Sequence, residues 1–277
     1  MRRQLTFACE GATLAATLDE APGTAGLLIV SGGNEIRSGA HRGMAMLAQR
    51  VAEAGHPVFR FDRRGIGDSE GENGGYRSSG PDIAAAIAAF GEAAPQMARV
   101  VAFGNCDAAS ALLLHQPLAL DGLILANPWT YEDNCGDSEE ADEPALPPAS
   151  AIRSRYLARL RDPKSLLRLV KGEIDLKKLA RGLSAMRKKP AAPAFGSLAD
   201  ELDAALAELF CPVTILLATG DRTAQTFMET LAPSLAHIEA NRGSMRVERL
   251  ASPSHSFAGD DGEWLAGRIL EQLRPTL

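Results

Sequence analysis

Residues 26–30 read Gly-Leu-Leu-Ile-Val, an unbroken apolar run that stops at Ser31-Gly32-Gly33. A short apolar run bounded by turn residues predicts a strand buried on both faces. The same pattern recurs in PVFRFD (57–62), RVVAF (99–103), GLILAN (122–127), VTILLAT (213–219) and MRVERL (245–250). Between these runs the apolar spacing turns helical. In residues 43–55, Met44, Leu47, Ala48 and Val51 share one face, and Gly55 ends the element. Residues 82–90 follow Pro81 and open on Asp82, a helix start. Helices are also expected at 107–115, near 223–236 and near 261–273. At the N-terminus, LTFAC and TLAATL predict a hairpin turning at Glu10-Gly11. Strands alternating with helices predict an α/β fold, a mostly parallel sheet covered by helices on both faces. No internal repeat is visible.

The alternation breaks over residues 128–208. Seven acids and no base lie in 132–143, and thirteen Lys/Arg stand against three acids in 151–190. The second block has helical periodicity, so the segment is expected to be a helical lid inserted into a core made of 1–127 and 209–277. A basic face of this kind either pairs with an acidic body or recruits an anionic substrate.

Composition narrows the function classes. The chain has 277 residues and a net charge of −6, which gives no support to nucleic-acid binding. Its four cysteines, at 9, 106, 135 and 211, form neither C-x-x-C pairs nor metal-ligand spacing. No metal and no cofactor is expected, and scattered thiols suit a reducing, cytoplasmic compartment. No run approaches the roughly 18 apolar residues of a membrane span. The opening two arginines are expected to belong to mature sequence rather than to a signal peptide, because Glu10 interrupts the apolar part and the residues alternate as in strands.

Candidate chemistry centres on Gly104-Asn105-Cys106-Asp107-Ala108, between a strand and a helix. A nucleophile lifted on a tight strand–helix turn has the pattern G-x-S-x-G, with small flanking residues because the helix packs closely on the strand. Here Cys replaces Ser and Ala replaces the second Gly. The helix start beside the thiol favours thiolate, whereas the Asp107 carboxylate opposes it. A catalytic triad on such a turn runs nucleophile, acid, base along the chain. Asp221 follows VTILLAT and His255 follows MRVERL, so Cys106, Asp221 and His255 keep that order, each after its own strand. His255 would take the proton of Cys106 and pass it to the leaving group, with Asp221 orienting the imidazole. Oxyanion donors are expected from the N–H of Asp107 and from the Ser31–Asn34 loop, Gly33 first and Asn34 next. His41, Arg37 and Trp129 are candidates to line the site. The segment FRFDRRGIGDSEG fails the dinucleotide motif at Glu70, and no phosphate-binding loop motif of the Walker type occurs.

These stretches resemble a known family. FDRRGIGDSEG looks like the D-x-R-G-x-G-x-S signature of α/β-hydrolases of the serine-aminopeptidase and acylglycerol-lipase type. More narrowly, the chain resembles the exosortase A system-associated hydrolase, type 1. The similarity is carried by SGGNEIRSGAHRGMAMLAQRVAEAGHPVFRFDRRGIGDSEG, GNCDAASALLL, NPW at 127–129, RYLARL with LLRLVKGEIDL, and ATGDRTAQTF. GNCDAAS is the most specific piece. Dienelactone hydrolases are similar in carrying Cys at this turn, but they keep Gly where this chain has Ala108. The resemblance implies an α/β-hydrolase fold, a helical lid, hydrolase activity and a link to bacterial exopolysaccharide and protein-sorting gene clusters. It implies no particular substrate. The expected reaction is hydrolysis or acyl transfer on an ester or thioester. The partner is a small acyl substrate, with a coenzyme A or carrier-protein thioester as the candidate the basic block suggests. The alternative is a non-catalytic hydrolase-like protein that binds a partner or small ligand.

Overall fold

A computed structural model of the chain describes residues 1–131, 196–241 and 243–274. Eight strands form one sheet: β1 (Arg2–Cys9), β2 (Ala12–Asp19), β3 (Ala25–Val30), β4 (Val58–Phe61), β5 (Arg99–Asn105), β6 (Gly122–Ala126), β7 (Val213–Ala218) and β8 (Met245–Leu250), in spatial order β1-β2-β4-β3-β5-β6-β7-β8. The β1–β2 and β2–β4 pairs are antiparallel and every other pair is parallel. The hairpin turns where expected, with Glu10 and Gly11 both at positive φ. The described helices are α1 (Gly43–Glu53), α2 (Gly80–Ala93), α3 (Asp107–Leu114), α4 (Leu198–Ala207), α5 (Arg222–Thr230), α6 (Ala232–Asn241) and α7 (Asp261–Leu273).

Strand parity decides which helix covers which face. Leu27, Ile29 and Phe103 point to one side, where Leu47 and Val51 of α1 and Ile269 of α7 pack on them. Phe59 points to the other side and meets Phe90 of α2, their ring centroids 5.3 Å apart. One expected helix differs. The segment near 223–236 is two helices, α5 and α6, broken at Leu231. Pro233 explains the break: it lacks the N–H a continuous helix would need there, but fits the first turn of a new one.

Contacts divide the chain into Met1–Thr130 with Glu201–Leu277, and Tyr131–Asp200. Most of the lid expected over 128–208, including its basic helical block at 151–190, lies outside the described residues.

The signature segment after β4 has a structural role here. Asp62 is fully buried; its carboxylate accepts the Asp68 N–H at 3.1 Å and bonds both the backbone N–H and the guanidinium of Arg37. Ser69 donates to the Asp62 carbonyl at 2.7 Å and accepts from the Ala15 N–H at 2.9 Å, so the loop folds back onto β2. Removing one partner of a buried ion pair strands the other. Asp62→Ala should therefore cost about 3–5 kcal/mol in urea unfolding. Ser69→Ala should cost about 1 kcal/mol, as for a single hydrogen bond. Equal losses would mean that the ion pair does not dominate the loop.

Candidate active site

Parallel strands put their C-terminal ends on one edge of the sheet, the usual place for ligand sites in such folds. Cys106 stands there, between β5 and α3, at φ 63° and ψ −129°. A side chain at positive φ persists only where its surroundings hold it, at a cost of order 1–3 kcal/mol. Here the Cys106 N–H donates to the Ala126 carbonyl at 3.0 Å, and the Cys106 carbonyl accepts from Ala109 at 3.1 Å and Trp129 at 3.2 Å. Gly104 is required by close approach: a Cβ there would lie 2.8 Å from the backbone of Ala108. Ala108 is itself fully buried, so the small-residue logic of the turn survives the loss of its second glycine.

Asp221 and His255 meet because their loops touch. The Gly220 N–H donates to the Ser252 carbonyl at 2.8 Å, and a Cβ on Gly220 would come within 2.9 Å of that oxygen. Asp221 caps α5, accepting the Ala224 N–H at 3.0 Å, and the same Oδ2 lies 3.1 Å from His255 Nδ1. It is thus both a turn residue and the partner of the histidine. Burial pushes the Asp221 carboxyl up, but hydrogen bonds from His255 and from the Ala224 and Thr223 N–H groups outweigh this and leave it below its ordinary value. The His255 imidazole is pushed up to about 10 by its hydrogen bond with Asp221 and then by that with Cys106, against a smaller opposing effect of burial. With Nδ1 on Asp221, the other ring nitrogen is left for the sulfur. His255, Cys106, Gly32 and Gly33 line one cleft of about 130 Å³.

The Ser31–Asn34 loop, expected to supply oxyanion donors, is tied to Asp107. The Gly33 N–H is already taken: it donates to Asp107 Oδ1 at 2.6 Å. The cause is the start of α3, which points the Asp107 carboxylate across Gly32–Gly33. Behind it the nearly buried Arg63 guanidinium bonds the Gly33 carbonyl and lies 3.7 Å from Asp107 Oδ2. The Asp107 N–H falls in the first turn of α3, where helix donors lack intrahelical partners. Asn34 is exposed, and its Oδ1 accepts from Asn73 Nδ2 at 2.9 Å.

The three lining candidates fall in different places. Arg37 is only 15% exposed and is spent on Asp62, on Asp68 at 2.9 Å and on Thr17 at 3.1 Å, so it serves the loop after β4 rather than the cleft. Trp129 supports the turn through its backbone, its carbonyl accepting from Ser110 Oγ at 2.6 Å, and is not among the residues lining the Cys106 cleft. His41 is exposed and lines a neighbouring cavity.

Asn127 was not singled out by sequence reasoning, yet its buried carboxamide reaches all three candidate loops. Its Nδ2 donates to the His255 carbonyl at 2.9 Å and lies 3.5 Å from Asn105 Oδ1, and its Oδ1 accepts from the Ala218 N–H at 2.9 Å. The residue sits at φ 41° and is completely buried. A polar residue ending an apolar strand was the available signal, since a buried amide needs partners and Asn tolerates this backbone region. Cys9 is held up at about 11 by burial and by its hydrogen bond to Asp82, and burial also raises Cys211. Among the described residues, no group of three or more His, Cys, Asp or Glu side chains could hold a metal ion, and no helix is long and apolar enough to cross a membrane.

Two measurements check this geometry. Asn127→Ala leaves a part-buried carbonyl and a buried N–H without this partner, and should cost about 1–3 kcal/mol in urea unfolding. The His255 contacts favour the imidazolium, so their stabilisation is complete below the unfolded value near 6.5 and is lost as pH rises through about 10. The Tm gap between the protein and His255→Gln should narrow from about pH 6 to above pH 10. A gap that does not change with pH would mean that His255 is not held as a cation.

The chain matches the alpha/beta hydrolase family over residues 27–268. Among solved structures it is similar to an esterase of Pyrococcus furiosus, with TM-score 0.62 and 14% identity over 99% of this chain and 92% of that one. A hydrolase from Pseudomonas aeruginosa gives TM-score 0.57 and 20% identity, with 99% of both chains covered. The thioesterase domain from the curacin biosynthetic pathway gives 0.57 and 16%, covering 98% of this chain and 99% of that one. Identities this low speak for the fold alone. No curated protein matches the sequence. The family match spans most of the chain and agrees with the sheet order and the strand–turn–helix at Cys106: the protein belongs to the alpha/beta hydrolase family.

Proposed function

We propose that the protein is a cysteine hydrolase that cleaves an ester or thioester through Cys106, His255 and Asp221. The observation that carries this reading is His255, whose Nδ1 lies 3.1 Å from Asp221 and which lines one cleft with Cys106. A histidine oriented by a carboxylate beside a sulfur can take the thiol proton as the sulfur attacks and pass it to the leaving group.

The steps follow from that pair. The Cys106 thiolate adds to the substrate carbonyl and forms a C–S bond. The carbonyl oxygen becomes an oxyanion beside the Asp107 N–H. The Gly33 N–H joins when the Asp107 carboxylate turns from it towards Arg63. The bond to the leaving oxygen or sulfur then breaks as His255 gives that atom its proton. Neutral His255 next takes a proton from water, and the hydroxide adds to the acyl-thioester. Collapse expels the Cys106 thiolate, releases the carboxylic acid and restores the imidazolium. An ester or thioester suits this chemistry better than an unactivated amide, whose nitrogen must be protonated strongly before it leaves.

The Cys-Asp turn and the other stretches shared with exosortase A system-associated hydrolases, type 1, support placing the chain in that group, with a role beside exopolysaccharide or protein-sorting machinery. The scattered thiols suit the reducing cytoplasm. The basic block at 151–190, taken as part of a lid over 128–208, supports including anionic coenzyme A thioesters among the substrates tested.

Cys106→Ala should lower kcat/KM for a turned-over ester by about 1,000-fold or more, with Tm nearly unchanged. Cys106→Ser should lose most activity too, because the site serves a sulfur nucleophile. Iodoacetamide should label Cys106 faster than Cys9 or Cys211. The kcat/KM profile should fall at high pH as His255 loses its proton near 10. Asp221→Asn removes the largest cause of that raised value, so the alkaline limb should move to lower pH. An active protein whose Cys106→Ala variant keeps full activity would remove Cys106 as nucleophile. No turnover, with all cysteines labelled alike, would favour a non-catalytic binding protein. If residues 151–190 recruit anions, salt should lower kcat/KM for coenzyme A thioesters and not for neutral esters. Equal salt slopes would leave that block a solvated face.

A further inference from the structure

A second cavity, of about 140 Å³, lies beside the Cys106 cleft. Its apolar wall comes from Met44, Met46 and Leu47 of α1, from Phe257, and from Leu265 of α7. His41 and Arg50 stand at its edge, and Arg50 is paired with Glu263 at 2.7 Å, so its charge is already matched. The cavity adjoins the nucleophile's cleft, for Glu35, Met44 and Asn105 line both. Met46, half exposed, is one of the few large apolar side chains that reach solvent among the described residues.

The position of the cavity indicates which half of a substrate it receives. Its other wall is Ser256–Gly259, the chain directly after His255. In the proposed reaction His255 gives its proton to the leaving atom, so the leaving group lies beside the His255 loop and the acyl group lies away from it. That loop is built firmly. Phe257 is 2% exposed, holds φ 51° and stacks on Trp264 with centroids 5.8 Å apart. A bulky side chain at positive φ is costly and persists only where its surroundings fix it. Apolar side chains from α1, the loop and α7 thus face one space adjoining the nucleophile.

We infer that this cavity is the leaving-group subsite, and that the leaving group is an apolar alcohol or thiol. The inference rests on the hydrolase reading for its orientation and on the cavity for its chemistry.

The test uses the full chain and two ester series. One varies the alcohol with acetate fixed, from ethyl to butyl to hexyl; the other varies the acid with ethyl fixed. The kcat/KM should rise about two- to fourfold per methylene of the alcohol, the range expected for buried apolar carbon. Met46→Trp should fill the cavity from its exposed rim and flatten the alcohol series, while the dependence on acyl length keeps its slope. Gly262→Ala should act in the same direction more weakly. Its Cβ would sit 3.4 Å from the Phe257 carbonyl and 3.8 Å from the Arg50 guanidinium, contacts that fit without moving the chain. A readout independent of turnover is protection: 1-hexanol, and not ethanol, should slow iodoacetamide labelling of Cys106, and Met46→Trp should abolish the effect. A flat alcohol series without hexanol protection overturns the subsite and leaves the hydrolase standing. A slope that Met46→Trp removes from the acyl series instead also overturns it. Hexanol protection in a protein that cleaves no ester keeps the apolar site and fails the hydrolase reading.

Discussion

The carboxamide of Asn127 holds together what would otherwise be three separate loops. It ends β6, whose last residue, Ala126, accepts the N–H of Cys106. Its two ends then reach the backbone of β7 three residues before Asp221 and the carbonyl of His255 itself. The Ala218 N–H it serves is buried, and an unpaired buried donor or acceptor costs more than a formed hydrogen bond contributes. The arrangement therefore tends to be kept whole. Loss of this one side chain would remove the tie from β6 to the His255 loop, while the Gly220–Ser252 bond and the burial of Phe257 would remain.

Charge around the site is divided between two carboxylates with different settings. Asp221 is buried, accepts from the first N–H groups of α5 and bonds His255, and the outcome is a histidine that retains its proton far above the usual range. Asp107 sits on the other side of the nucleophile, bonded to Gly33 and close to Arg63. One carboxylate holds the histidine and the other holds the Gly32–Gly33 loop. The Cys-Asp pair at the turn thus ties the start of α3 to the loop after β3. A Gly or Ala at position 107 could not make this tie.

Much of this was legible along the chain. Apolar runs bounded by turn residues gave the six strands from β3 to β8, and the N-terminal hairpin was legible from its alternation and its Glu10-Gly11 turn. The order Cys106, Asp221, His255, after β5, β7 and β8, was visible because parallel sheets place all their C-terminal strand ends on one edge. The helix after Asp221 was misread as continuous, since periodicity carries across Leu231 and only the missing N–H of Pro233 reveals the break. The D-x-R-G-x-G-x-S segment was legible as a resemblance, yet its Asp and Ser fold a loop and its neighbour Arg37 is consumed there.

Local pattern and chain order, then, determined the element types, the family resemblance and the placing of Cys106 at a strand–helix turn, because these depend on periods of two and 3.6 residues and on which residue stands at a turn. The tertiary structure alone decided which groups share an atom. Gly220 allows two loops to approach within hydrogen-bond distance, and that approach brings Asp221 to His255. Asn127 bridges residues about ninety and about one hundred and thirty positions away. Asp107 claims the Gly33 N–H across more than seventy residues. Contacts between residues this distant leave no periodic trace in the sequence, since each depends on how the packed sheet aligns its loops.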